Sequence, residues 1–151
     1  MEKKITYNSN DISDFKFKHT FDVHFDECDQ AGIVHNSNYI KYFERSRTAY
    51  VHNLGLKWNV EDIGSDYYVV IGENYCKYIN PARFEDSLTI YAKISNVKNS
   101  SYRFEYLIVK FDDKNDKNSF IKICEGFSTL VKVTEDYKKA SKLSDKFKML
   151  I

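Results

Sequence analysis

The sequence predicts an α+β protein in which an antiparallel sheet of five strands wraps around one long helix. Three observations predict this class: one segment with helical spacing, five segments in which apolar and polar residues alternate, and short separators between the last strands. Aromatic residues make up 16% of the chain, with 12 Tyr, 11 Phe and one proline, which is typical of a sheet-rich protein. Because neither a helix nor a sheet can bury its apolar side alone, we expect the sheet to curve around the helix.

The bulk composition indicates one globular domain spanning residues 1–151, of which the polar residues 1–16 are expected to be loosely held. A formal net charge of +1 gives no indication of a nucleic-acid-binding stripe or a polybasic membrane patch, and no apolar run approaches membrane-spanning length. The three cysteines, Cys28, Cys76 and Cys124, are scattered, which argues against a disulfide framework or a metal site. This pattern favours a reducing compartment, and we expect a cytoplasmic protein.

The first strand and the helix are predicted from periodicity. Apolar residues alternate with polar ones from Phe17 to Phe25, which indicates a half-buried strand. Ser37 or Asn36 is the expected N-cap of the helix that follows, and Gly55 is its expected stop. The stripe at helical spacing consists of Tyr39, Tyr42, Phe43, Ser46, Ala49, Tyr50 and Leu54.

Four further strands are predicted within residues 66–80, 87–97, 101–111 and 119–133. The clearest alternation places Leu88, Ile90, Ala92 and Ile94 on one face. Because turn-like separators at 80–86, 98–100 and 112–118 divide these strands, we expect them to form an antiparallel meander. Outward-facing aromatics and a free edge strand suggest that two copies pair, and the charged carboxyl-terminal segment is expected to fray or form a short helix.

Three acidic residues, Asp26, Glu27 and Asp29, lie between the first strand and the helix, with Gly32 after them. A carboxylate in this place can simply cap the free N–H groups of the helix start. Alternatively, those N–H groups can stabilise an oxyanion while a carboxylate attacks a carbonyl or orients water. Thioesters suit this arrangement because a thiolate leaves without being protonated. We expect Asp29 to be the carboxylate that attacks the carbonyl or orients water, and we expect Asp26 and Glu27 to face solvent.

The segment "FDECDQAGIVHNSNYIKYFERSR" resembles the signature of hotdog-fold acyl-CoA thioesterases of the 4-hydroxybenzoyl-CoA thioesterase type. The resemblance continues through "NYCKYINPARFEDSLTIYAKI" and "SSYRFEYLIVK", and covers about residues 17–133. It implies a five-stranded sheet around a central helix, a homodimer or homotetramer, and sites at the subunit interface. It also implies hydrolysis of an acyl-CoA to a carboxylic acid and coenzyme A, for which we expect no metal or cofactor.

The resemblance also implies roles for individual residues. Asp29 matches the catalytic carboxylate, either a nucleophile or a general base, and Gly32 matches the turn glycine. Asn36 matches the position whose backbone N–H polarises the thioester carbonyl. Some relatives have histidine at the positions of Asn36 or Ile33, so His35 is taken as a substrate-binding candidate without a proton-transfer role.

Glu44 matches a helix glutamate that serves as the catalytic base in another hotdog branch. In this chain Arg45 and Arg47 are expected to be its charge partners. We therefore favour a structural or orienting role for Glu44.

Candidates for contacts with the coenzyme A part are Arg83, Lys98 and Arg103. The acyl group is expected along aromatic residues on the helix and on the partner's strands, such as Tyr39, Tyr42 and Tyr75. Aromatic residues at helical spacing are also typical of a core. Three alternatives stay open: a thioesterase acting on acyl-carrier protein, a non-catalytic acyl-CoA or lipid binder, and a hotdog dehydratase or hydratase.

Overall fold

The computed structural model describes residues 12–113 and 116–151, leaving aside the side chains of residues 112–118. The predicted order of one strand, one helix and four strands is confirmed, with a short helix added ahead of the second strand. In chain order the elements are β1 (Phe17–Asp22), α1 (Asn36–Asn53), α2 (Val60–Ile63), β2 (Val69–Tyr78), β3 (Ser87–Ser95), β4 (Ser101–Asp113), β5 (Asp116–Lys132) and α3 (Asp145–Leu150). No helix in this part of the chain has both the length and the apolar character needed to cross a membrane.

The five strands form one antiparallel sheet in the order β1-β3-β4-β5-β2. The expected meander is confirmed for β3, β4 and β5 but is wrong for β2, which pairs with β5 at one edge while β3 pairs with β1 near the other. The connection between β2 and β3 is held by the segment before α1. The N–H of Val34 donates to the Ala82 carbonyl and that of Val23 donates to the Asp86 carbonyl, each at 2.9 Å. These bonds carry the chain across the end of the sheet instead of turning it back beside β2.

The helix α1 buries the predicted stripe against the sheet. Its buried residues are Asn38, Tyr39, Tyr42, Phe43, Ser46, Tyr50 and Val51. The Phe43 ring stacks on Tyr106 of β4 with 4.2 Å between centroids, and Tyr50 meets Phe104 edge to face at 5.3 Å. Such aromatic pairs add to the stabilisation that burial of their large apolar area supplies. Gly55, with φ of +78°, follows the helix as predicted.

The predicted first strand is wrong at its end. The strand stops at Asp22, and Phe25–Glu27 form a single 3₁₀ turn that breaks the two-residue alternation. The Phe25 ring is consequently 77% exposed and meets the exposed ring of Phe84 at 5.7 Å.

Both ends of the described stretch, which begins at Ile12, pack on the sheet. The expectation that residues 1–16 are loosely held falls mostly on residues 1–11, which lie outside the described part of the chain. Ile12 and Phe15 pack on a cluster formed by Tyr91, Leu107 and Val109. At the other end the predicted short helix is confirmed as α3, whose N-cap Ser144 accepts a hydrogen bond from the Phe147 N–H.

Substituting Gly126 with alanine should destabilise the fold. A Cβ at Gly126 would lie 2.9 Å from two ring carbons of Phe43 and against the Tyr75 carbonyl of the neighbouring strand. Because both neighbours are fixed by packing, we expect the free energy of unfolding to fall by about 1–3 kcal/mol. Urea unfolding would measure this, and an unchanged midpoint would mean that α1 and β5 do not approach this closely.

Candidate active site at the amino end of the central helix

A tight turn at residues 29–33 presents the expected catalytic carboxylate. The N–H of Asp29 donates to the Ile33 carbonyl and the N–H of Gly32 donates to the Asp29 carbonyl, both at 2.9 Å. An antiparallel bridge between Cys28 and Val34 closes the turn. Gly32 has φ of +73°, a region that side chains disfavour, which suits a glycine at this point of the turn. The turn places Asp29 beside Ile33, and Ile33 lies three residues before the start of α1.

The Asp29 side chain is half-buried and anchored through one oxygen. Its Oδ1 accepts a hydrogen bond from the Ala31 N–H at 2.8 Å, as in an Asx turn. No hydrogen bond reaches Oδ2 from any residue that the structure describes. One carboxylate oxygen thus holds the turn while the other is available for chemistry.

The N-cap of α1 is His35, so the expectation of Ser37 or Asn36 is wrong. The His35 Nδ1 accepts from the Ser37 N–H at 3.3 Å and lies 2.9 Å from the Ser37 hydroxyl. An imidazole nitrogen can replace the hydroxyl or carboxylate oxygen that usually caps a helix. His35 is exposed, and with Nδ1 used for capping, Nε2 is the ring nitrogen left to meet a ligand.

Asn36 is the first residue of α1, and its backbone N–H has no hydrogen-bond partner within residues 12–113 and 116–151. An unsatisfied N–H at this end of a helix carries part of the positive end of the dipole and favours a negative ligand. The Asn36 carbonyl accepts a hydrogen bond from the Tyr78 hydroxyl at 3.2 Å, which connects β2 to the helix start. The free donor and the Asp29 carboxylate therefore belong to the same short stretch of chain.

Glu27 is buried, so the expectation that it faces solvent is wrong, whereas Asp26 is exposed as predicted. The Oε2 of Glu27 accepts from the His24 N–H and from the Tyr42 hydroxyl, both at 2.9 Å. Its Oε1 accepts from Arg45 at 3.0 Å. Burial opposes ionisation of Glu27, but these three hydrogen bonds and the Arg45 charge outweigh it and lower the pKa of Glu27.

The backbone of Glu27 joins the Asp29 turn to α1. Its carbonyl accepts from the His35 N–H at 2.9 Å and from the Asn38 side-chain amide at 2.8 Å. Glu27 lies two residues before Asp29, and His35 and Asn38 lie on either side of Asn36. These bonds fix the position of the turn relative to the free helix N–H.

Replacing Glu27 with glutamine should remove a pH-dependent part of the stability. Because the folded pKa lies below the unfolded value, the contribution of Glu27 is present above the unfolded pKa and disappears as pH falls through the folded pKa. We expect Glu27→Gln to cost about 1–3 kcal/mol near pH 7. Urea unfolding between about pH 7 and pH 3 should show the gap to wild type closing at the acidic end. Asp26→Asn, at the exposed neighbour, is the matched control, and a gap independent of pH would contradict the assignment.

Glu44 does not pair with the neighbouring arginines, so that expectation is wrong. Arg45 reaches back to Glu27, as described above. Arg47 donates to the Tyr106 and Ser128 hydroxyls, each at 3.1 Å, because it faces the sheet. The Glu44 side chain is exposed and has no ionic or hydrogen-bonding partner in the described part of the chain.

Of the three basic candidates, only Arg83 lies at the turn. Its Nη1 donates to the Gly32 carbonyl at 3.4 Å, and its side chain is otherwise exposed. Lys98 is exposed in the connection between β3 and β4. Arg103 is buried: its guanidinium lies 3.8 Å from the ring centroid of Phe127 and 3.6 Å from the Glu73 carboxylate. The structure thus gives Arg103 a packing role on the sheet.

The aromatic candidates for the acyl pocket divide between two faces. Tyr39 is buried and meets Tyr42 and Tyr78 edge to face, at 5.8 and 5.2 Å. Burial raises the pKa of Tyr39 to about 12, so it is a neutral phenol at physiological pH. Tyr75 instead stacks on Phe127 at 5.3 Å, on the face where Arg103 lies. The expectation that Tyr75 reaches the acyl group from the partner's strands stays a prediction.

Three residues of the site were missed from the sequence: Glu27, Asn38 and Tyr78. Tyr42 and Arg45 lie three residues apart on one helix face, a spacing that could have indicated an acidic partner such as Glu27. No sequence pattern predicted the contacts of Asn38 and Tyr78, since each contact is with a residue that is distant in sequence. No group of three or more His, Cys, Asp or Glu side chains placed to hold a metal ion occurs within residues 12–113 and 116–151.

Comparisons with known proteins identify the family and the fold of the chain. Residues 23–149 match the family model described as the Thioesterase-like superfamily. Acyl-CoA thioesterase YbgC of Haemophilus influenzae is 25% identical over 88 residues, which are 58% of this chain and 65% of that protein. The chain thus spans slightly less than two thirds of this relative.

Two solved structures are similar in fold, and their sequence identities are too low to show more than the fold. The 4-hydroxybenzoyl CoA thioesterase from Pseudomonas sp. strain CBS-3 has a TM-score of 0.77 at 19% identity, covering 89% of this chain and 98% of that one. A thioesterase from Thermus thermophilus, complexed with coenzyme A and Zn, has a TM-score of 0.73 at 20% identity, covering 91% and 92%. The predicted hotdog fold is confirmed. Because the family model matches most of the chain, the chain belongs to the Thioesterase-like superfamily.

Proposed function

We propose that this protein is an acyl-CoA thioesterase that hydrolyses an acyl-CoA to a carboxylic acid and coenzyme A. One observation carries the proposal: the Asp29 carboxylate and the unpartnered Asn36 N–H lie on one fixed stretch of chain at the amino end of α1. A carboxylate beside a preorganised donor is the minimum set for cleaving an activated acyl group. The relative from Haemophilus influenzae carries this activity in its name, which supports the same substrate class.

In the proposed reaction the Asn36 N–H and the helix dipole stabilise the negative charge that develops on the thioester oxygen. Asp29 then acts in one of two ways. As a nucleophile it forms a mixed anhydride and expels the coenzyme A thiolate, and water hydrolyses the anhydride. As a general base it takes a proton from water, which attacks the carbonyl carbon and expels the same thiolate. Both routes consume one water and release one acid and one thiol.

Other residues are proposed to bind and position the substrate. We propose that Arg83 contacts a phosphate and that the Nε2 of His35 contacts the substrate near the carbonyl. The position of Arg83 beside the Gly32 turn and the use of Nδ1 of His35 for capping support this. Lys98 and Arg103 are left out of this set, since neither contacts the turn. Glu44 lies eight residues beyond Asn36, or about 12 Å along the helix axis, which is too far to reach a carbonyl bound at the Asn36 N–H. We therefore propose an orienting role for Glu44 and not the role of catalytic base.

The test is thiol release by the purified protein from a panel of acyl-CoAs and acyl-carrier proteins, with aromatic, short and long acyl groups. The proposal expects turnover of at least one acyl-CoA with saturation kinetics. Exclusive turnover of acyl-carrier proteins would replace the substrate class and keep the chemistry. Binding of acyl-CoA without cleavage of any thioester would overturn the proposal in favour of a non-catalytic binder.

We also propose that the protein is a homodimer or homotetramer that pairs through β2. This strand has β5 on one side and is at the sheet edge on the other. Exposed apolar residues are concentrated on and just beyond it: Val70, Ile71, Tyr75, Tyr78 and Ile79. An unpaired edge with apolar side chains favours association with a second strand. Light scattering coupled to gel filtration would measure the mass, and a monomer at micromolar concentration would contradict the pairing.

The single-domain organisation and the cytoplasmic location stay proposals. The single-domain proposal is supported by the one sheet that includes all five strands. The location is supported by three cysteines that are all free thiols. Fractionation of the source cells with an antibody to the protein would test the location.

A further inference from the structure

Two of the three cysteines, which are far apart in sequence, lie side by side in the structure. Cys76 of β2 is opposite Gly126, and Cys124 of β5 is opposite Tyr78, so the two cysteines are diagonal neighbours on adjacent strands. Their sulfur atoms are 3.3 Å apart, and both side chains belong to the cluster that packs around α1. The third cysteine, Cys28, lies outside this pair, at the bridge that closes the Asp29 turn.

We propose that Cys76 and Cys124 form a redox-active dithiol, which a hydroperoxide converts into a reversible intramolecular disulfide, with Cys76 reacting first. This modification site is independent of the proposed thioesterase activity and would exist in a catalytically silent protein. It follows from proximity, since the sulfur atoms are 3.3 Å apart and a disulfide bond is about 2.05 Å long. Because the two cysteines are diagonal neighbours, bond formation also draws β2 and β5 closer together at this point.

Cys76 is more exposed than Cys124 and has the lower pKa, as a thiol that reacts first with peroxide requires. Cys76 is half-buried, whereas Cys124 is fully buried. The hydrogen bond from Cys124 lowers the pKa of Cys76 despite its partial burial, and the Tyr78 side chain acts in the same direction. The same bond and burial raise the pKa of Cys124. Since the thiolate is the reactive form, Cys76 is the nucleophile towards peroxide and Cys124 is the resolving thiol.

The chemistry balances with one molecule of peroxide. The Cys76 thiolate attacks one oxygen of hydrogen peroxide, the O–O bond breaks, and a sulfenic acid forms with release of hydroxide, which takes a proton to become water. The Cys124 sulfur then attacks the sulfenic sulfur, losing its proton, and the S–O bond breaks with release of a second water. Two thiols lose two electrons in total and the peroxide gains them. A small dithiol such as dithiothreitol reverses the step by thiol–disulfide exchange.

The experiment treats the fully reduced, full-length protein with hydrogen peroxide and then counts free thiols after unfolding. We expect the count to fall from three to one, an intact mass lower by two hydrogen atoms, and a proteolytic peptide pair that joins Cys76 to Cys124. Dithiothreitol should restore all three thiols. Retention of three thiols at peroxide concentrations that oxidise free cysteine, or disulfides only between chains, would overturn the proposal.

Variants separate the roles of the three cysteines. Cys124→Ser should leave a sulfenic acid on Cys76 that dimedone traps, and Cys76→Ser should abolish that trapping. Cys28→Ser is the matched control and should still form the disulfide at the wild-type rate. Dimedone labelling of Cys28 in place of Cys76 would contradict the assigned order. Circular dichroism of each variant would confirm that the thiols are compared in the same fold.

Discussion

Replacing Asp29 with asparagine should lower kcat for acyl-CoA hydrolysis by about 10²- to 10⁴-fold. An amide can neither attack a carbonyl nor accept a proton from water, so both proposed routes lose their reactive group. The amide oxygen can still accept the hydrogen bond that Ala31 donates to Oδ1, and asparagine is favoured in this kind of turn. We therefore expect the fold, and the affinity for acyl-CoA, to stay close to those of wild type.

The measurement is thiol release at saturating substrate, together with calorimetric titration of a non-hydrolysable acyl-CoA analogue. Asp26→Asn is the matched control, since Asp26 is exposed three residues earlier and has no part in the proposed site. Equal turnover by Asp29→Asn and wild type would remove the mechanism. Loss of binding as well as turnover would give Asp29 a structural role in the turn instead.

Isotope labelling would separate the two routes that Asp29 can take. In a single turnover with enzyme in excess in ¹⁸O-water, a general base delivers the labelled oxygen to the acid product. A mixed anhydride that water attacks at the Asp29 carbonyl instead leaves the label on the enzyme. The peptide containing Asp29 would carry that label in mass spectrometry.

Periodicity predicted the elements well because it depends on neighbouring residues. The stripe from Tyr39 to Tyr50 and the alternation from Leu88 to Ile94 each predict one apolar face, and the structure buries those faces. In β3 the opposite face is buried as well, at Thr89 and Tyr91, which the alternation did not indicate. The pairing of β2 was predicted incorrectly because it depends on where the connection that follows β2 is anchored. The bonds from Val34 to Ala82 and from Val23 to Asp86 join residues that are far apart in sequence, and no local pattern indicates them.

The candidate site shows the same division. The Asp29 turn was predictable because its glycine and its carboxylate lie within a few residues of each other. The cap at His35 was not, since imidazole is an uncommon N-cap and serine and asparagine follow it directly. The burial of Glu27 depends on Tyr42 and Arg45, which reach it from the helix. A run of three acidic residues gives no indication of which one the helix will cover.

The largest stability effect is expected at a buried ion pair between β5 and the segment that precedes β2. The Lys132 ammonium of β5 lies 3.1 Å from the Asp66 carboxylate, and the two side chains are only 5% and 2% exposed. Asp66 also accepts hydrogen bonds from the N–H and hydroxyl of Ser144, the N-cap of α3. Lys132 donates to Ser65 at 3.0 Å, so the pair is embedded in a network that is satisfied on both sides.

Replacing Asp66 with alanine should lower the free energy of unfolding by about 3–5 kcal/mol, because it leaves the Lys132 charge buried without a counter-ion. Urea unfolding measures this loss, and Asp136→Asn, which removes one partner of the exposed pair with Lys138, should change nothing measurable. The double variant Asp66→Leu/Lys132→Met provides the decisive comparison. Since an apolar pair avoids the cost of desolvating two charges, we expect it to recover most of the stability that Asp66→Ala loses. A double variant as unstable as Asp66→Ala would instead mean that the bonds from Asp66 to Ser144, and not the unpaired Lys132 charge, account for the loss.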